Sequence, residues 1–177
     1  MHNRDGKIGC QLIFSDIGTP GPDKDFTVYQ YLKDALVQYG IPEEEIAFIH
    51  DAKTDAQRDV LFKEMRTGKK KVLIGSTDKC GTGVNVQTHL VALHHVDCPW
   101  KPSSIEQREG RGIRQGNENE EIAVYRYVTK STFDAYNWSL VENKQRFISQ
   151  VTTSKAVSRT CEDIDEATLS YAEIKAV

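Results

Sequence analysis

The sequence predicts an α/β fold: a mainly parallel sheet covered by helices on both faces, followed by a helical tail. Three observations predict it. Short apolar runs alternate with stretches whose apolar residues recur at helical spacing. Glycine and proline mark the junctions between them. The chain has 177 residues, 38% apolar and 28% charged, which suits one folded domain with its own core.

The elements follow in order. Cys10 to Ser15 is an apolar run that ends in the turn-rich segment Asp16 to Pro22, so it reads as a buried strand and a loop. Phe26 to Tyr39 carries Val28, Tyr31, Leu32, Ala35, Leu36 and Tyr39 at helical spacing, with Gly40 as the stop. Ile46 to Ile49 is a second strand. Thr54 precedes a helix to about Arg66, with Val60, Leu61 and Met65 inward and Gly68 as its end. Val72 to Ile74 and Leu90 to Val96 are the third and fourth strands. Ser103 and Ser104 offer an N-cap to the next helix. Ile122 to Val128 is an alternating fifth strand. Thr132 to Gln150 is a long helix with Phe133, Tyr136, Leu140, Phe147 and Ile148 inward. Residues 1–150 form one domain in this reading, and 151–177 a tail or brace with an acidic, partly helical end.

Composition narrows the function. No apolar run is long enough to cross a bilayer, and the first seven residues lack the apolar stretch of a signal peptide. A cytoplasmic protein with no membrane association is expected. Cys10, Cys80, Cys98 and Cys161 are widely spaced, with no C-x-x-C pair, and suit reduced thiols. His94 and His95 are neighbours on a strand and point to opposite faces, which argues against a shared metal. A net charge of −3 counts mildly against nucleic-acid binding, although local patches decide that question. The basic cluster of Arg66, Lys69, Lys70 and Lys71 reads by itself as a solvated turn.

Two segments carry chemistry. Open parallel sheets bind ligands at the carboxyl ends of their strands, so the loops after Ser15, His50, Ile74, Val96 and Val128 matter first. The loop after the third strand runs from Gly75-Ser76-Thr77 through Gly81-Thr82-Gly83-Val84-Asn85-Val86-Gln87. Its hydroxyls can donate to phosphates, and its glycines allow close approach. It lacks the Gly-Lys-Ser/Thr ending of a P-loop and the dinucleotide G-x-G-x-x-G spacing. The second segment is Gln107-Arg108-Glu109-Gly110-Arg111-Gly112-Ile113-Arg114. On a helix, Gln107, Arg111 and Arg114 share a face, and two guanidinium groups there suit polyphosphate. Ile113 then faces elsewhere, as a core anchor. Gly110 and Gly112 each cost about 1 kcal/mol of helix stability, so a close approach is expected at both.

Ser76-Thr77, Gly81-x-Gly83-Val84-Asn85-Val86, Val96-Asp97, Trp100-Lys101-Pro102 and Gln107-x-x-Gly110-Arg111-x-x-Arg114 together resemble the second, C-terminal RecA-like lobe of Swi/Snf-type helicases and translocases. The likeness covers most of residues 10–130, with Thr82, Val84 and Val86 departing from the commoner residues. It implies a RecA-like three-layer sandwich of the P-loop NTPase type. It also implies a division of labour. A first lobe outside this chain holds ATP and Mg²⁺. Arg111 and Arg114 supply arginine fingers, Gln107 positions them or the attacking water, and Gly83, Asn85 and Gly110 line the nucleotide. Ser76, Thr77, Ser15 and Lys101 contact the DNA backbone without reading its sequence, with Lys79 a weaker candidate. Both fingers are expected to project toward the carboxyl-end rim of the sheet. Trp100 is expected to pack against the lobe rather than stack on a base.

Residues 133–138, 144–148 and 162–173 are similar to very large proteins of phages and conjugative elements. Those proteins join a helicase-like motor to an adenine-specific DNA methyltransferase, which is therefore an implied fused or associated partner. A catalytically idle scaffold and half of an RNA helicase stay open as alternatives.

Overall fold

The computed structural model describes residues 9–22, 24–81, 85–113 and 115–152. The expectations for Gly83 and Arg114, and for the tail from residue 153 onward, lie outside the described residues.

Five strands form one sheet: β1 (Cys10–Phe14), β2 (Ile46–Phe48), β3 (Val72–Gly75), β4 (Leu90–His95) and β5 (Ala123–Arg126). Their order is β2-β3-β1-β4-β5, and every neighbouring pair is parallel. The helices are α1 (Val28–Gln38), α2 (Asp55–Arg66), α3 (Thr77–Gly81), α4 (Pro102–Gly112) and α5 (Phe133–Thr152). The residues fall into two compact units. One takes the chain up to Asp97 together with Ser103–Tyr127, and so contains the sheet. The other takes Cys98–Pro102 and the chain from Val128, and so contains α5.

Alternation along β1 sends its side chains to two cores. Leu12 and Phe14 join Leu61, Phe62 and Met65 of α2 with Leu73 and Leu93. Ile13 joins Tyr29 of α1 with Ile46, Val72 and Ile74, and Leu32 and Leu36 pack against that cluster. Each such buried side chain contributes about 1.5–3 kcal/mol through removal from water.

Local chemistry sets the helix ends. The Thr27 hydroxyl accepts from the Gln30 amide at the start of α1. Thr54 and Gln57 form a reciprocal capping box on α2. Gly68, at φ +76°, turns the chain after α2.

Several expected positions differ. The inward row of α1 begins at Tyr29, which is fully buried, and continues through Leu32 and Leu36; Tyr31 and Tyr39 rotate outward and are 62% and 88% exposed. On α2 the buried side chains are Leu61, Phe62 and Met65, while Val60 faces solvent. α4 begins at Pro102 rather than after a serine cap, because proline has no amide hydrogen to satisfy in a first turn. β5 is shorter than expected and exposed on both faces, as an edge strand beside β4 alone. Ile113 lies past the end of α4 and is exposed, so it does not anchor the helix. The buried residues of α5 are Trp138 and Val141, whereas Phe133, Phe147 and Ile148 are exposed.

Candidate functional site

The carboxyl ends of β1, β3 and β4 bring together Ser15-Asp16, Ser76-Thr77 and Asp97. Into their midst reaches Arg108 of α4, the largest fully buried side chain, at 1% exposure. Its Nε donates to Thr77 Oγ1 at 2.7 Å. Nη1 donates to the Asp97 carbonyl at 3.1 Å and faces His95 Nδ1 at 3.3 Å. Nη2 donates to Asp16 Oδ2 at 2.7 Å and to Asp97 Oδ1 at 2.9 Å. All five N–H groups of the guanidinium are thereby engaged. The Phe14 ring lies 5.4 Å from its centre.

A buried guanidinium costs several kcal/mol in lost hydration unless it is fully paired, and this one is. The acceptors are themselves held. Asp16 Oδ1 accepts from the Thr77 amide at 2.6 Å, and Oδ2 accepts from the Thr77 hydroxyl at 2.7 Å. Asp97 Oδ2 accepts from the amides of Asp16 and Ile17. Burial pushes the Asp16 carboxyl up, but the Thr77 hydrogen bonds and the Arg108 charge outweigh it and hold it below its ordinary value. Burial, reinforced by the positive charges of Arg108 and Arg126, brings His95 down to about 3. The ring is therefore neutral, and its Nδ1 accepts from Arg108 while Nε2 faces Glu109 Oε1 at 3.4 Å. Glu109 also pairs with Arg126 of β5 at 3.0 Å.

Three of the four residues expected to touch DNA, Ser15, Ser76 and Thr77, sit on this rim with their hydroxyls already engaged. Ser15 is buried, and its hydroxyl donates to the Ile17 carbonyl at 3.0 Å. Ser76 Oγ accepts from the Lys79 amide at 3.4 Å. The Thr77 hydroxyl donates to Asp16 and accepts from Arg108. In the other unit Lys101 is exposed, and Trp100 is 84% exposed rather than packed as expected. The basic cluster is engaged locally: Lys69 pairs with Glu64, Lys71 with Glu45, and Lys70 donates to the Glu44 carbonyl.

Two of the nucleotide-facing candidates, Arg111 and Asn85, lie toward the start of β4, at the other end of the sheet. From Arg108 at the rim, α4 runs down the sheet: a Cβ on Gly112 would stand 2.7 Å from Leu90 Cδ2, beside the first residue of β4. Gln107, Gly110 and Arg111 occupy positions i, i+3 and i+4 of this helix and share a face. Gln107 is exposed and Arg111 partly so. Arg111, in the last turn, therefore lies toward the start of β4 and not at the carboxyl-end rim where a finger is expected; the guanidinium at that rim is Arg108. Asn85 is exposed, and its carbonyl accepts from Arg66 Nη1 at 2.8 Å. It precedes the single turn Gln87–His89 that leads into β4. The expected close approach occurs at Gly112, whereas a Cβ on Gly110 would meet nothing within 4 Å. Among the described residues no group of His, Cys, Asp or Glu could hold a metal ion.

Sequence reasoning missed Arg108, Asp16 and His95. One signal was available: Arg108 is one residue after Gln107 on a helix, and so points away from the Gln107 face.

This parallel sheet and its helices form the RecA-like fold of helicase C-terminal lobes. Residues 7–116 match the family model described as the helicase conserved C-terminal domain, and the chain belongs to that family. It is 32% identical over 91 residues to "Defense against restriction protein B" of Escherichia phage P1, covering 51% of this chain and 4% of that protein. It is 34% identical over 92 residues to "Uncharacterized ATP-dependent helicase YqhH" of Bacillus subtilis (strain 168), covering 51% and 16%. It is 35% identical over 77 residues to "ATP-dependent RNA helicase eIF4A" of Phaeosphaeria nodorum, covering 44% and 19%. The chain thus spans less than a fifth of each of these relatives. Among solved structures, the C-terminal part of the Fun30 ATPase domain superposes with a TM-score of 0.61 at 19% identity, covering 75% of this chain and 39% of that one.

Proposed function

We propose that this chain is the second motor lobe of an ATP-dependent, Swi/Snf-type DNA translocase or helicase. ATP and Mg²⁺ are held by a first lobe. Arg111 and Arg114 face the transferring phosphoryl group, and Gln107, Gly83, Asn85 and Gly110 complete this wall of the cleft. Ser15, Ser76, Thr77 and Lys101 contact the nucleic-acid backbone.

The observation that carries the reading is the α4 face. Gln107, Gly110 and Arg111 stand together on a helix that Arg108 ties to the rim, and Gly110 leaves open space beside them. A finger in this role accelerates phosphoryl transfer by about 10³–10⁵ in comparable systems. The resemblance of residues 133–138, 144–148 and 162–173 motivates a large mobile-element protein with a fused or associated methyltransferase as the parent, and the likeness to a phage protein fits the mobile-element part of that reading.

A second reading, half of an RNA helicase, is favoured by the likeness to eIF4A. The purified 177-residue chain is predicted to hydrolyse ATP negligibly, because it has no P-loop lysine. Steady-state phosphate release checks this, and robust nucleic-acid-stimulated turnover by the chain alone would refute the reading. Competition between duplex DNA and RNA for the full-length protein decides the substrate; preference for RNA would move the assignment to the second reading.

A further inference from the structure

We infer that Arg108 is a positioning residue that couples the Ser76-Thr77 loop to the α4 face carrying Gln107 and Arg111. The inference rests on the function proposed above. It goes further by naming the physical link between the two ends of the lobe.

The geometry supports it in three steps. The Thr77 hydroxyl has one proton, and it gives that proton to Asp16 Oδ2. The same hydroxyl oxygen accepts from Arg108 Nε, and the same Asp16 oxygen accepts from Arg108 Nη2. Thr77, Asp16 and Arg108 therefore form a closed ring of hydrogen bonds in which no bond changes alone. A backbone phosphate can receive the Thr77 proton only if Asp16 gives it up, so occupancy at Thr77 is felt at Arg108. Arg108 is in turn rigid, with every donor engaged and 1% exposure. Its helix carries Gln107 immediately before it and Arg111 three residues after it. A shift of the guanidinium must move that helix or break charge-assisted bonds. Arg108 points to a different side of the helix from Gln107 and Arg111, so one short helix carries both the link and the Gln107 face.

The test uses the full-length protein containing both lobes. Arg108→Gln is predicted to lower nucleic-acid-stimulated kcat about tenfold or more, while the KM for ATP moves less than about threefold. Thr77→Val should reduce stimulation likewise, Thr77→Ser should restore most of it, and the double variant Arg108→Gln with Thr77→Val should be no worse than the poorer single one. Equal, independent losses that multiply in the double variant would overturn the coupling, as would full stimulation in Arg108→Gln. Amide hydrogen exchange on the 177-residue chain provides a second readout. Both Arg108→Gln and Thr77→Val should speed exchange across residues 102–112, with α2 unchanged. If the wild-type full-length protein hydrolyses no ATP, the proposed function fails. The link is then judged by exchange alone, and unchanged α4 protection in Thr77→Val refutes it.

Discussion

His95 shows how a single residue records the electrostatics of the rim. It is fully buried beside Arg108, and burial together with that charge holds its pKa near 3 against an ordinary 6.5. Burial also lowers His50 and His94. The unfolded chain therefore binds more protons than the folded one between about pH 3 and 6.5. Stability is full above that window and is lost progressively as pH falls through it. The urea midpoint of the chain is predicted to be lower at pH 5 than at pH 7.5, by a free-energy loss of about 1–2 kcal/mol. His95→Asn, whose oxygen can take the place of Nδ1 as an acceptor, should flatten that dependence. A midpoint unchanged or higher at pH 5 would contradict a neutral buried His95.

At the scale of elements, the glycines separate packing from function. A Cβ on Gly75 would lie 2.2 Å from Cys80 Sγ and 2.8 Å from Ile49 Cγ2, between α3 and the turn after β2. Gly75→Ala is predicted to destabilise the chain by about 1–3 kcal/mol through overpacking. Gly110→Ala meets open space instead and should stabilise α4 by up to about 1 kcal/mol. In the two-lobed protein the same change should lower ATP turnover if Gly110 lines the nucleotide as proposed. Thermal melts of both variants, paired with turnover of Gly110→Ala, check this. A Gly110→Ala protein with normal turnover would remove Gly110 from the nucleotide wall.

The same elements show what a sequence can reveal. The strand and helix order was legible because Leu12, Ile74, Leu93 and their neighbours are apolar runs with clear stops. Beyond its offset from the Gln107 face, Arg108 was not legible, because periodicity treats a charged residue as surface and cannot see three strand ends converging on it. Tyr29 and Tyr31 were confused because both fit a helical stripe, and only the tilt of α1 on the sheet chooses between them. β5 carries alternation in its sequence, yet all four of its residues are exposed.

For the whole lobe, the structure separates two sets of residues along the strands. Ser15, Ser76 and Thr77 are at the carboxyl ends, while Arg111 and Asn85 lie toward the start of β4. α4 spans the distance, with Arg108 bonded at the rim and Gly112 close on Leu90. Under the proposed function, nucleic acid would be met at one end of this helix and nucleotide at the other.

The most direct measurement is ATP turnover and duplex DNA binding by the full-length protein carrying Arg111→Ala or Arg114→Ala. The account predicts that either change lowers kcat by about 10³-fold or more with DNA affinity nearly unchanged. Wild-type turnover in both variants would contradict it.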